Sequence, residues 1–183
     1  MTRILGVAGS LREHSYNRGL LRAARELAAE EGIEVEIFEI DAIPPYNQDD
    51  EGDMPAVVRD FKSRIKQADA LLLVTPEYNY SVSGVLKNAI DWASRPYGDN
   101  SFDDKPVAIM GATIGMLGTA RAQYHLRQML VYVNAYPLNQ PEVMVPAAAD
   151  KFKDGKLVDA HTRQKVREQL LALAAWAKRL HPA

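Results

Sequence analysis

The chain has 183 residues, 47% of them hydrophobic and 25% charged, with a formal net charge of −2 at pH 7 and no cysteine. That length fits one domain, expected to run over residues 1–183, with a core large enough to need no covalent staples. The absence of thiols excludes a disulfide framework, a thiolate zinc site, an iron–sulfur cluster and a cysteine nucleophile. The charge balance leaves no footprint for sequence-independent nucleic-acid binding, and the first apolar run is too short for a signal peptide or a membrane span. A cytoplasmic protein is expected.

Apolar blocks alternate with helix-period stretches along the whole chain. Ile4, Leu5, Val7 and Ala8 form a first strand that ends at Gly9-Ser10. Leu20, Leu21, Ala24, Leu27 and Ala28 then mark one face of a helix, with Gly32 as its stop. Val35, Ile37, Phe38 and Ile40 give a second strand, Pro44-Pro45 break it, and Val57, Val58, Phe61 and Ile65 return to helical spacing. Residues 70–74 are apolar throughout and read as a third strand, followed by a helix carrying Val85, Leu86, Ala89, Ile90 and Trp92. A fourth strand spans 107–112, a helix follows through Ala122, Leu126, Met129, Leu130 and Val133, and a weaker fifth strand lies within 136–145, interrupted by Pro137 and Pro141. Asp154-Gly155 marks a small hairpin, and Val166, Leu170, Leu173, Ala177 and Leu180 close the chain with a long helix. Strands apolar on both faces and separated by helices imply a parallel sheet covered on both sides. Five of them favour an α/β fold of the flavodoxin-like kind, a three-layer α/β/α sandwich with strand order 2-1-3-4-5, over a six-stranded Rossmann sheet.

In such a sheet ligands bind outside the carboxyl ends of the strands, near the switch in strand order. That selects the loops after strands 1, 3 and 4. The first, residues 9–17, sets Ser10, Arg12, Ser15 and Asn17 at the start of a helix. Hydroxyls, an amide and a guanidinium beside free helix N-terminal amides suit a phosphate. Neither G-x-x-x-x-G-K-[ST] nor G-x-G-x-x-G is present, so a nucleotide-hydrolysing loop and the dinucleotide fingerprint are both missing. Asp41, after the second strand, reads as an ordinary loop acid, and His14 as a solvated histidine. The loop after strand 3, Thr75-Pro76-Glu77-Tyr78-Asn79-Tyr80, offers aromatic rings, an amide and a rigid proline to a flat heteroaromatic ligand. Glu77 reads as a solvated carboxylate rather than a general base, and Tyr80 equally as a surface or interface residue. Gly111, Gly115 and Gly118 after strand 4 permit close backbone approach. The histidines His14, His125, His161 and His181 show no metal-ligand spacing, and no G-x-S-x-G elbow exists for a hydrolase.

Together these loops resemble the NAD(P)H-dependent FMN reductase family, and most of all its bacterial quinone/chromate reductases. Gly9, Ser10, Arg12, Ser15 and Asn17 match the family's G-S-x-R-x-x-S-x-N loop. Residues 76–92 match P-E-Y-N-x-S-x-x-G-x-L-K-N-A-I-D-W throughout, while residues 121–128 and 139–142 are similar to the quinone/chromate subgroup. Gly118-Thr119 departs from the Gly-Gly that relatives often carry. The resemblance implies bound FMN, with Ser10, Arg12, Ser15 and Asn17 at its phosphate. Pro76, Glu77, Tyr78 and Asn79 would line the isoalloxazine, and Thr113 and Gly115 would close its other side. It also implies NADPH or NADH as hydride donor, a small acceptor such as a quinone, azo compound or chromate, and no catalytic side chain. A homodimer or homotetramer is implied, with Arg121, Tyr124 and Glu142 near an interface. Three other functions stay open at this level: a flavin reductase supplying a partner monooxygenase, a flavodoxin-type electron carrier, for which a charge of −2 gives little steering, and a flavin-free regulatory binding module.

Overall fold

The computed structural model describes residues 1–181. In chain order it contains β1 (Arg3–Ala8), α1 (Tyr16–Glu30), β2 (Glu34–Phe38), a 3₁₀ turn (Gln48–Asp53), α2 (Ala56–Gln67), β3 (Ala70–Val74), α3 (Gly84–Ala93) and β4 (Pro106–Ala112). These are followed by α4 (Ala120–Tyr132), β5 (Tyr136–Pro137), β6 (Val143–Val145), α5 (Ala148–Lys151), β7 (Phe152–Lys153), β8 (Lys156–Leu157) and α6 (Ala160–Leu180). The main sheet runs β2-β1-β3-β4-β5, all neighbours parallel, with β6 also paired to β4. The flavodoxin-like order expected from the sequence is the order observed.

β3 and β4 are buried at every position because helices cover both of their faces. Side chains alternate across a strand, so Leu5, Val7, Leu71, Leu73, Val107 and Ile109 enter a core shared with α2, α3 and α4. Ile4, Ala8, Leu72, Val74, Ala108 and Met110 enter the core beneath α1 and α6. The turn that ends α1 shows why Gly32 is needed there. Its φ is +69°, and Gly32 N and Ile33 N donate to Ala29 O at 3.3 Å and Ala28 O at 2.9 Å. This closure satisfies the last carbonyls only with a left-handed residue between them.

The expected fifth strand is split in two. β5 pairs with Pro106 and Val107, β6 with Met110 to Ala112, and residues 138–142 bulge between them. Proline has no N–H to give a ladder, and side chains take over the orphaned carbonyls. Arg127 Nη2 donates to Leu138 O at 2.9 Å, and Gln169 Nε2 donates to Ile109 O at 3.0 Å and Pro141 O at 2.8 Å. The one-turn helix α5 and the 3₁₀ turn carry no periodicity long enough to announce them. The Asp154-Gly155 hairpin forms as expected, with φ of +50° and +73° at its two central residues, the pattern of a type I′ turn.

Asp159 caps the start of α6: its Oδ2 accepts from Thr162 N at 2.8 Å and Thr162 Oγ1 at 2.6 Å. Those bonds, the hydroxyl first, hold the Asp159 carboxyl below its ordinary range. Its contribution is therefore present above the pKa of the unfolded chain and lost as pH falls through the lower folded value. Asp159→Ala is expected to cost about 1 kcal/mol near neutrality, with the gap to the parent protein closing in acid. Urea unfolding at two pH values measures it, and a gap that widened in acid would reverse the assignment. Among the described residues no helix is long and apolar enough to cross a membrane.

Candidate active site

The loop after β1 is tied to β3 and to the start of α3. Gly9 N donates to Val74 O at 2.8 Å, and Ser83 Oγ, at the start of α3, donates to Gly9 O at 2.6 Å. A Cβ at Gly9 would stand 2.9 Å from both Leu86 Cβ and Ser83 Oγ, so this close approach of loop to helix requires glycine. Ser15 caps α1: its Oγ accepts from Asn17 N at 3.2 Å and Arg18 N at 3.3 Å. The hydroxyl hydrogen is left to donate outward. Arg12 belongs to no ion pair among the described residues and lies with its guanidinium carbon 5.6 Å from the Tyr16 ring centroid. Ser10 is buried and lines the same space.

Asn17 has a second task. Its Nδ2 donates to Ala112 O at 3.0 Å, and its Oδ1 accepts from Ala112 N at 2.9 Å. Beyond Thr75, which still donates its N–H to Met110 O, β3 gives way to Pro76, so at Ala112 β4 is paired with β6 on one side and has no strand neighbour on the β3 side. The buried Asn17 carboxamide stands in for it and ties the phosphate-type loop to the end of β4. One amide hydrogen of Asn17 remains for a ligand.

After β3 the chain makes a tight hairpin. Tyr78 and Ser81 exchange backbone hydrogen bonds of 3.0 Å, and Asn79 and Tyr80 have φ of +49° and +69°. Glu77, expected to be a solvated loop acid, is instead enclosed, with its side chain 8% exposed. Its Oε2 accepts from Arg121 N at 3.1 Å and Ala122 N at 3.3 Å, and its Oε1 accepts from Arg121 Nε at 2.5 Å. The carboxylate caps α4.

These loops converge on a cavity of about 320 Å³ at the carboxyl ends of β1, β3 and β4. Ser10, Arg12, Ser15, Asn17, Pro76, Glu77, Tyr78 and Thr113 all line it. Asn79 and Gly115 do not: Asn79 sits at the exposed hairpin tip, and Gly115 O is drawn away to accept from Ala147 N at 3.1 Å. Tyr16, Ala112 and Ile114 complete the wall and belong to no motif. The aromatic at the first position of α1, directly after the hydroxyl-rich loop, is the signal that could have pointed to Tyr16. Donor hydroxyls, an unpaired guanidinium and helix amides at one end, and proline and tyrosine at the other, fit a phosphorylated planar cofactor. A larger hollow of about 670 Å³ lies near the amino end of the sheet. Lys105 on its wall is committed to the end of α2, donating to Lys66 O at 2.9 Å and Ala68 O at 2.7 Å, and burial lowers its pKa.

A family model described as NADPH-dependent FMN reductase matches residues 2–150. The chain belongs to this family. An NAD(P)H-dependent FMN reductase of Pseudomonas aeruginosa is 51% identical, over 97% of this chain and 96% of that protein. An NAD(P)H:quinone oxidoreductase of Solanum tuberosum is 45% identical over 97% and 94%. Among solved structures, the flavoenzyme NAD(P)H:(acceptor) oxidoreductase FerB of Paracoccus denitrificans superposes with a TM-score of 0.90 at 36% identity, covering 98% of each chain. The family match ends at residue 150, before the hairpin of β7 and β8 and before α6. That hairpin packs on α1 where Gly19 leaves room, since a Cβ there would stand 2.8 Å from Gly155 O.

Proposed function

We propose that this FMN reductase is a single-domain cytoplasmic oxidoreductase that keeps FMN in the cavity described above and passes electrons from NADPH or NADH to a quinone. The observation that carries the reading is the convergence, in one cavity, of a phosphate-type donor set with a proline–tyrosine wall. Arg12, Ser10 and Ser15 supply charge and hydroxyl donors at the phosphate end, and Asn17 adds its remaining amide hydrogen. Pro76, Glu77 and Tyr78, through the hairpin backbone, and Thr113 across the cavity border the ring; Asn79 and Gly115, off the cavity wall, are left out of the assignment. The bound flavin would supply the hydride and electron chemistry between nicotinamide and acceptor, so the protein's share is position, polarity and access. Tyr78, 52% exposed, and Ile114, 73% exposed, present flat and apolar surface at the rim, which suits a planar uncharged acceptor. No side chain is assigned as nucleophile or obligatory acid; the Glu77 carboxylate is already bonded to α4.

We also assign a homodimer or homotetramer in which α4 meets a second copy. Tyr124, Val131 and Tyr132 of α4 have exposures of 54%, 76% and 75%, and Arg121 on the same helix and Glu142 just before β6 are assigned to the same interface. Such a run of exposed apolar area is characteristic of an interface.

The test is the visible spectrum of the purified protein, with NADPH and NADH oxidation followed with benzoquinone, with and without added FMN. Retained flavin bands and quinone reduction without added FMN are expected. A colourless protein indifferent to FMN would overturn the reading, and a rate that follows added FMN would make free flavin the product. Arg12→Ala is expected to weaken FMN binding roughly 10- to 100-fold, the worth of one or two charge-assisted hydrogen bonds. The unfolding midpoint of the flavin-free protein should not move. Undiminished FMN content in that variant would remove Arg12 from the phosphate site.

A further inference from the structure

The hairpin that forms one wall of the cavity is fixed to α4 by a carboxylate from outside that helix. Thr119, the residue that precedes α4, has φ of +68° and no side-chain capping bond; Ala120 N finds Leu117 O, but the amides of Arg121 and Ala122 lack the usual local acceptor. Glu77 provides it across a separation of 44 residues, and in the same stroke grips the Arg121 side chain through Nε and Nη2. A negative charge is favoured at a helix N-terminus, and here it is largely withdrawn from water, where losing one partner strands the other. The grip continues outward. The Arg121 guanidinium carbon lies 3.6 Å from the centroid of the Tyr80 ring, in cation–π range, and Tyr80 holds a left-handed φ of +69° that non-glycine residues adopt only when held there. One turn along α4, His125 Nδ1 meets Ser81 Oγ at 3.0 Å. Tip, flank and base of the hairpin are thus tied to the first two turns of α4.

We propose that Glu77 is a positioning residue that acts through Arg121. It sets the distance and tilt of the hairpin wall against the rest of the cavity, and it moves no proton to or from cofactor or acceptor. The inference rests on the reading that this cavity holds FMN. Both oxygens of Glu77 are engaged by α4, so the carboxylate has neither the freedom of a general acid nor that of a direct ring contact; what reaches the ring is backbone whose place the pair decides.

A double-mutant cycle in the full-length, FMN-loaded protein tests this, using Glu77→Gln, Arg121→Gln and the two combined. The measurements are the FMN dissociation constant, the shape of the bound-flavin absorption bands, the pH profile of kcat and the thermal midpoint. Each single change is expected to raise the dissociation constant about tenfold, which is about 1.4 kcal/mol, and to distort the flavin bands in the same way. The double variant should be no worse than the worse single one, and the pH profile should keep its limbs. Additive losses, or a limb of the pH profile lost in Glu77→Gln alone, would overturn the proposal in favour of direct chemistry. A lowered thermal midpoint with unchanged flavin bands and affinity would reduce the pair to a structural one and overturn it as well. Should the glutamine variants fail to fold, Arg121→Lys keeps the charge without the planar fork; partial loss of affinity with distorted bands supports positioning, and parent-like behaviour overturns it. Flavin-free parent protein marks failure of the FMN reading itself, which none of the variant comparisons can mimic.

Discussion

Asn17→Leu is expected to lower the stability of the flavin-free protein by about 3 kcal/mol and to leave it unable to retain FMN. Leucine fills a similar volume but offers nothing to Ala112, whose N–H and C=O both end on the Asn17 carboxamide. A buried donor and a buried acceptor would lose their partners together, and each such loss costs about 1–3 kcal/mol. The consequence for binding follows from location, because the same contact is what holds the phosphate-type loop against the end of β4. Guanidinium unfolding of the flavin-free protein gives the first quantity, and FMN titration of the folded fraction gives the second. A variant that kept its unfolding midpoint would show that the carboxamide bridge is dispensable.

Gly111→Ala is expected to be at least as damaging, costing about 3 kcal/mol or more. A Cβ at this point in β4 would stand 2.0 Å from Thr119 Oγ1 and 2.4 Å from Thr75 O. The first neighbour is a fully buried threonine in a left-handed conformation and the second is backbone; neither can step aside cheaply. For a chain of this length the loss translates into a fall in Tm of roughly 6–12 °C. Because Thr75 and Thr119 lead into the two loops that border the cavity, FMN affinity should fall with it. Thermal unfolding with and without FMN measures both effects, and an unchanged Tm would mean that the loop after β4 is free to shift.

The sheet was legible because it needs only local information. β3 and β4 are apolar at consecutive positions, and no exposed strand tolerates that. The phosphate-type loop was legible for the same reason, since Ser10, Arg12, Ser15 and Asn17 lie within one turn of chain. What stayed hidden depends on pairs far apart in sequence. Nothing near Glu77 announces that its donors are the amides of residues 121 and 122, so it read as a solvated acid. Nor does anything near Asn17 reveal its partner 95 positions away. The two prolines warned of a weak fifth strand, but the bulge depends on Gln169 and Arg127 reaching in from other helices. Asn79 and Gly115 lie in the right loops, yet a turn tip and a bond to Ala147 carry them off the cavity wall. Thr119, where a glycine was the commoner expectation, shows the limit most plainly: its left-handed backbone is legible only once α4 and β4 are packed together.

The divided fifth strand also bears on how the molecule behaves among other chains. A parallel sheet with two open sides presents rows of unpaired backbone groups, and a long, straight, apolar margin would invite a foreign strand to add itself. On one margin β5 has two residues and β6 three, separated by a bulge that carries Pro141, so no register extends far enough to be copied. The other margin, β2, exposes Glu34 and Glu36, the latter paired with Arg64, and an incoming strand would have to displace or bury those charges. Irregularity on one side and charge on the other leave a newly made, cofactor-free copy with little on which aggregation could start.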